Sequence, residues 1–253
     1  MKPGTIQERF RELHVWRRKG ERAPHKPLLL LFAFGRLTQG APRLIPYREI
    51  DHALHGLLTE FGPPRSSRHT EYPFWRLQND GVWEVEDRDR FAVRESSTDA
   101  KRSELLKHDA RGGFEPEIFD ALRRSDRLVR QISLDLLDAH FPASMHEDIR
   151  EAVGLEVGSR MQRRPLRDPT FRERVLGAYQ YACAVCRSSV RLGDRTIGLE
   201  AAHIKWHQAG GPDLEVNGLA LCSLHHKLFD LGAFTVAENH SAVISQSAHG
   251  NPG

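Results

Sequence analysis

The chain has 253 residues, enough for one large domain or two modest ones, and its 39% hydrophobic and 28% charged composition is that of an ordinary globular protein. Its best apolar run, Leu28 to Phe34, is far too short to span a membrane, and the opening Met-Lys-Pro-Gly-Thr lacks the apolar core of a signal peptide. Net charge is only +3, but residues 1–76 hold 14 Lys/Arg against 7 Asp/Glu, residues 77–158 hold 12 against 19, and residues 159–253 hold 11 against 8, so the first segment can offer a basic face to a polyanion.

In chain order, Ile6 to Lys19 is predicted as an amphipathic helix, with Ile6, Phe10, Leu13 and Trp16/Arg17 three to four residues apart and Gly20 as its stop. Pro27 opens a second helix, Leu28 to Leu37, too apolar all round to lie anywhere but in a core. Pro46 opens a third, Tyr47 to Phe61, whose Ile50, Leu54, Leu57, Leu58 and Phe61 form one stripe, and Gly62-Pro63-Pro64 stops it. Arg65-Ser-Ser-Arg68-His69 is a polar, basic loop. Phe74-Trp-Arg-Leu77 and Val82-Trp-Glu-Val85 flank Gln78-Asn-Asp-Gly81, which predicts a β-hairpin. Three helices followed by a hairpin is the order of a winged helix, a common DNA-binding scaffold. Helices resume over Lys101 to His108, Pro116 to Arg124 and Asp126 to Ala139. Gly154 to Arg167, with two glycines, several arginines, a proline and no periodicity, is the expected linker, and Asp168-Pro169 caps a helix reaching about Tyr179. The fold class expected is α+β, with a mainly helical, winged-helix-like domain and its β-hairpin over residues 1–155, a linker over 156–168 and a second domain over 169–253.

That second domain holds all three cysteines. Cys183-Ala-Val-Cys186 and Cys222-Ser-Leu-His225 bring four soft or borderline ligands in two pairs, the arrangement of a closed, tetrahedral structural zinc site. With every cysteine assigned to metal, a reducing cytoplasm is expected rather than a disulfide framework. Between and beside the pairs stand His203, Asn217 and His226, which this zinc does not need.

The order His203, Asn217, His226, together with both Cys pairs, resembles an HNH nuclease of the zinc-stabilised ββα-metal fold over about Phe171 to Val236. The resemblance implies catalytic roles for all three. His203, at the end of a predicted strand Ile197 to His203, would be the general base that takes a proton from water. Asn217 would pin the intervening loop and keep His203 oriented. His226, early in a predicted helix Ser223 to Leu231, would bind a catalytic divalent metal such as Mn²⁺, Mg²⁺, Co²⁺ or Ni²⁺. The family usually places a metal-binding Asp before the first His, where this chain has Ala202. Strand alternation puts Glu200 on the same face as position 202, so Glu200 is a candidate metal ligand, with His207 and Asp230 as others.

Arg22-Ala-Pro-His25-Lys26-Pro27, followed by Tyr72-Pro73-Phe74-Trp75-Arg76, resembles the sulfur-binding domain of phosphorothioate-dependent, McrA-like type IV restriction endonucleases, in which this domain precedes an HNH module. Sulfur in a backbone phosphorothioate is larger, more polarizable and less hydrated than oxygen. Pro27, Tyr72, Pro73 and Trp75 are the expected apolar walls for it, and Arg22, His25, Lys26, Arg68 and Arg76 the cations that hold the DNA backbone. The plainer alternative is that Tyr72 to Trp75 starts a half-buried strand and Pro27 only starts a helix.

Taken together, the resemblances imply a metal-dependent endonuclease that reads phosphorothioated double-stranded DNA, with structural Zn²⁺ and a homodimer if both strands are to be cut. The alternatives are an HNH nuclease that reads a methylated or otherwise modified base, and a non-catalytic, zinc-stabilised DNA-binding regulator.

Overall fold

The computed structural model describes residues 3–15, 17–18, 21–63, 69–91, 99–155, 170–193 and 195–250. They fall into two compact units, one within Met1–Arg18, Arg22–Phe141 and His146–Met161, the other within Lys19–Glu21, Pro142–Met145 and Gln162–Gly253. Among the described residues no helix is long and apolar enough to cross a membrane.

The first unit is organised by one buried helix. Helix α1 is Pro3–Arg11; β1 (Arg17–Arg18) and β2 (Glu21–Arg22) are a paired turn of two-residue strands; α2 is His25–Thr38. Every residue of α2 from Pro27 to Gly35 is buried, as its all-round apolarity requires. β3 (Ile45–Pro46) leads into α3 (Tyr47–Phe61), which buries the predicted stripe. After α4 (Glu71–Arg76) and a 3₁₀ turn, Leu77–Asp80, come β4 (Trp83–Val85), α5 (Arg102–Lys107), β5 (Arg111–Phe114), α6 (Pro116–Arg123), α7 (Asp126–His140) and α8 (His146–Ala152). The three strands form an antiparallel sheet in the order β3-β5-β4. Its aromatic rings meet those of the helices: Phe10, Phe34 and Phe114 pack in tilted and edge-on pairs within 5.0–6.1 Å between centroids, and Trp83 packs edge-on against Phe74 and Phe114. Gly113 has no room for a side chain, since a Cβ there would lie 1.8 Å from the Arg43 carbonyl oxygen. Gly113→Ala is therefore expected to destabilise this unit by about 3 kcal/mol, measurable as a fall in its thermal or denaturant midpoint.

Two predicted elements of this unit are corrected. The first helix ends at Arg11 instead of reaching Lys19. The His14 backbone N–H donates to the buried Asp80 carboxylate at 2.8 Å, a tertiary bond that competes with continuation of the helix. The expected hairpin also does not form, because Phe74–Leu77 belongs to α4 and the turn after it. Phe74 and Leu77 are both buried three residues apart, a helical spacing, and Gly81, at φ 65°, ends the 3₁₀ turn. The strand expected at Val82–Val85 does form, but its partner is β5, with Trp83 opposite Phe114 and Val85 opposite Gly112. Most of the predicted linker, the Asp168-Pro169 cap, Arg68 and the Arg22 side chain lie outside the described residues.

The second unit starts at α9 (Phe171–Ala178) and an antiparallel pair β6–β7 (Val190–Leu192, Arg195–Ile197). Its centre is β8 (Leu199–His203) paired with β9 (Gly218–Cys222), followed at once by α10 (Ser223–Asp230), then by the pair β10–β11 (Phe234–Val236, Ala242–Ile244). Its buried cluster is small, with Phe171, Val175 and Leu176 from α9 meeting Leu199, Ala202, Leu219 and Leu221 of the strands and Phe229 of α10. Both units mix helix and strand, as the α+β expectation required.

Candidate metal centres and active site

The β8–β9 pair sets the site. Its register places Leu199 opposite Cys222 at one end and His203 opposite Gly218 at the other. Gly218 admits α9 closely, since a Cβ there would meet Val175 at 2.3 Å. A metal-ligand cluster therefore gathers at one end of the strands and an imidazole at the other.

At the Cys222 end, Cys183, Cys186, Cys222 and His225 bring their ligand atoms within 4.8 Å of one another. The Cys222 Sγ–His225 Nδ1, Cys183 Sγ–His225 Nδ1 and Cys186 Sγ–Cys222 Sγ separations are 3.0, 3.7 and 3.9 Å. A tetrahedral zinc with bonds of about 2.3 Å to sulfur and 2.0–2.1 Å to nitrogen needs ligand separations of roughly 3.5–3.8 Å, so the donor set and its spacing fit Zn²⁺. Arg187, at φ 61°, turns the chain sharply after the first pair. Burial pushes the Cys183 thiol up, but the backbone N–H groups of Cys186, Cys222 and Val185 outweigh it and bring the thiol down to about 6. Burial raises the Cys222 thiol, and the neighbouring Cys183 and Cys186 sulfurs add to the rise.

At the other end His203 is buried, its ring stacked on Phe171 at 4.2 Å and 18° and edge-on to His207 at 5.8 Å. Its Nε2 is 2.7 Å from Asp213 Oδ1. Asn217 ties the intervening loop: Oδ1 accepts from the Lys205 N–H at 2.9 Å, and Nδ2 donates to the carbonyls of Lys205 and Pro212 at 3.1 and 3.0 Å. Its own carbonyl accepts from the Ile204 N–H.

His226 stands on α10 between two carboxylates. Its Nδ1 is 2.5 Å from Glu200 Oε2 and its Nε2 3.3 Å from Asp230 Oδ2. The Ser144 hydroxyl donates to the same Asp230 oxygen. The hydrogen bond from His226 holds the Glu200 carboxyl below the usual carboxylate range, against its burial. Ala202 is fully buried in the apolar cluster, so the carboxylate beside His226 comes from two residues earlier on the strand. The two carboxylates lie on opposite ring nitrogens, so one of them can join His226 on a hard or borderline divalent cation while the other holds the far nitrogen as its hydrogen-bond partner.

In the first unit the predicted DNA-facing residues separate into two groups. Tyr72 and Arg76 come together: Tyr72 is half-buried and stacks on His69 at 4.7 Å, and the Arg76 guanidinium lies 4.5 Å over its ring. Arg76 is held on the buried Asp99 by two hydrogen bonds of 2.9 and 2.5 Å. Pro27, Pro73 and Trp75 are instead buried, Trp75 edge-on to Phe91. Lys26 is turned onto Asp80 at 2.5 Å with its side chain 13% exposed, and His25 is half-buried. Asp80, Asp99 and Asp213 were not singled out by the sequence: each reaches its partner across at least ten residues with no fixed spacing, so no local pattern signals them. Asp230 does carry a signal, the i, i+4 step from His226 on one helix.

Comparison with known proteins bears on both units. A family model for the ScoMcrA-like DNA sulfur-binding domain matches residues 3–157, and one for an HNH endonuclease matches residues 183–237. Among solved structures, the chain is similar to the sulfur-binding domain of ScoMcrA complexed with phosphorothioated DNA, at 25% identity and a TM-score of 0.53, covering 59% of this chain and 94% of that one. It is also similar to the ScoMcrA sulfur-binding and SRA domains complexed with phosphorothioated DNA, at 25% identity and a TM-score of 0.56, covering 78% and 59%. Against the type IV phosphorothioation-dependent restriction endonuclease ScoMcrA itself the identity is 25% and the TM-score 0.52, and the match spans 32% of that longer chain. No curated protein matches.

Proposed function

The chain belongs to the ScoMcrA-like DNA sulfur-binding domain family, and from that premise we propose that it is a metal-dependent endonuclease that binds phosphorothioated double-stranded DNA and hydrolyses its phosphodiester bonds. The observation that carries the reading is the presence, in one chain, of a sulfur-binding domain match and an HNH match whose His203 ends β8, Asn217 ends the 3₁₀ turn Glu215–Asn217 before β9, and His226 stands on α10. The domain limits in this reading are 1–155 for recognition, 156–168 for a linker and 169–253 for the nuclease.

In the first unit, Tyr72 and Arg76 are the accessible part of the pocket, with His25 and Lys26 near the start of α2 and Arg22 and Arg68 as further cations. Pro27, Pro73 and Trp75 are buried, so their part in this reading is in packing the first unit rather than as apolar walls open to DNA. The aromatic face favours poorly hydrated sulfur, and the cations grip the backbone without regard to sequence.

In the second unit, Cys183, Cys186, Cys222 and His225 would hold structural Zn²⁺. His226 and Glu200 would hold the catalytic divalent metal, with Asp230 as the partner of the other His226 ring nitrogen; the metal when bound stabilises negative charge on the scissile phosphate and the leaving 3′ oxygen. His203 takes the proton from the attacking water, and Asn217 keeps the loop beside it closed. One such centre cuts one strand, so two copies of the chain are needed to cut both; sedimentation with DNA showing only monomer would count against a homodimer.

The test is cleavage of two duplexes of identical sequence, one with a stereodefined phosphorothioate, in Mn²⁺ with His203→Ala alongside. Cutting of the thioated duplex only, lost with His203→Ala, is the expected result. Equal cutting of both removes the sulfur-reading claim, and tighter binding of the thioated duplex with no cutting favours the regulator.

A further inference from the structure

We propose that Asp213 is the positioning residue for His203, held in place from two sides by Asn217 and Arg174. This rests on the nuclease reading above and extends it to residues outside the His-Asn-His trio.

The geometry is specific. Asp213 Oδ1 lies 2.7 Å from His203 Nε2, with the two side chains 18% and 6% exposed. A carboxylate–imidazole bond so far removed from water is stronger than an exposed one. The loop that presents Asp213 is fixed on both sides of the carboxylate. Asn217 Nδ2 holds the preceding carbonyl, that of Pro212, at 3.0 Å. Arg174 reaches from α9 to hold the Asp213 carbonyl at 2.7 Å, and its Nε pairs with Glu215 at 2.7 Å. The loop closes tightly enough that a Cβ on Gly211 would fall 1.8 Å from the Lys205 carbonyl oxygen. Phe171 then sets the plane of the His203 ring by stacking on it.

The chemical consequence follows from the partner. An ionised carboxylate only accepts, so His203 donates its Nε2–H to Asp213, and the ring's lone pair sits on Nδ1. Nδ1 is thereby the nitrogen that takes the proton from water, and Asp213 offsets the positive charge that the ring then carries. Asn217 acts on the reaction through this loop.

The experiment uses the full chain with a phosphorothioated duplex and Mn²⁺, comparing Asp213→Asn, Asp213→Glu and His203→Ala. Asp213→Asn keeps the size of the side chain and removes the charge. Its kcat is expected to fall on the order of 10²- to 10³-fold with KM and zinc content unchanged, as when the carboxylate partner of a catalytic imidazole is neutralised, and Asp213→Glu recovers part of the loss. The ¹⁵N spectrum of wild-type His203, assigned by its absence in His203→Ala, is expected to show the Nε2–H tautomer. A kcat for Asp213→Asn within threefold of wild type, with His203→Ala inactive, overturns the proposal and leaves the nuclease reading standing. An active His203→Ala overturns the assignment of the base itself. Should Asp213→Asn lose its zinc or its folded state, the wild-type tautomer decides: Nδ1–H overturns the proposal and Nε2–H sustains it.

Discussion

Cys183→Ser, or extraction of metal by a strong chelator, is expected to abolish cleavage by at least 10³-fold while binding of phosphorothioated DNA stays within about threefold of wild type. Among the described residues the buried cluster of the second unit comprises eleven, several of them small, and Cys183 is itself one of them. A core this size does not hold the β8–β9 register unaided. Zinc ligation contributes roughly 10–16 kcal/mol to the folding of small zinc-dependent peptides near neutral pH, far more than such a core can replace. Because the ligands sit at the Cys222 end of the same strand pair that ends at His203, loss of zinc is expected to loosen the position of His203, the proposed general base. Zinc content, cleavage and a gel shift on one preparation check the prediction, and full cleavage by zinc-free protein would refute it.

The same ligands predict a pH dependence. The Cys183 thiol is brought down to about 6 from an ordinary value near 9. A folded pKa below the unfolded one means that the folded state favours the thiolate. The stability this contributes is fully present above the ordinary thiol range and is lost as pH falls through about 6. Zinc affinity is accordingly expected to weaken more steeply once pH falls below about 6, where binding must displace the Cys183 proton as well, and zinc titrations across pH 5 to 8 check it.

Glu200→Gln is expected to raise the Mn²⁺ concentration needed for half-maximal cleavage at least tenfold, on the scale of losses seen when a ligand or its supporting carboxylate is removed. Glutamine keeps the size of the side chain and a hydrogen-bonding oxygen for His226 but gives up the charge that balances a divalent cation. The zinc cluster shares no ligand with Glu200, so zinc content and the melting transition should not move. An unchanged Mn²⁺ titration would place the catalytic metal on other residues. Ala202→Asp, which restores the residue usual in the HNH family, is not expected to compensate, because position 202 is fully buried in the apolar cluster and an unpaired carboxylate there is destabilising.

What the amino-acid sequence determined by itself was whatever is encoded over a few residues. The two Cys pairs, the strand ending in His203 and the helix carrying His225 and His226 each depend on spacing within one element, and α2 could lie nowhere but in the core because it is apolar on every side. Gln78-Asn-Asp-Gly81 shows where this stops: a glycine at positive φ ends a 3₁₀ turn as well as it turns a hairpin, and only the burial of Phe74 and Leu77 decided between them. The carboxylates were decided by the tertiary structure alone. Asp80 captures Lys26 and the chain at His14 across 54 and 66 residues, Asp99 captures Arg76 across 23, and Asp213 reaches His203 across 10. A charged side chain finds a partner wherever packing removes both from water. That pairing depends on which segments meet, and no spacing in the chain records it.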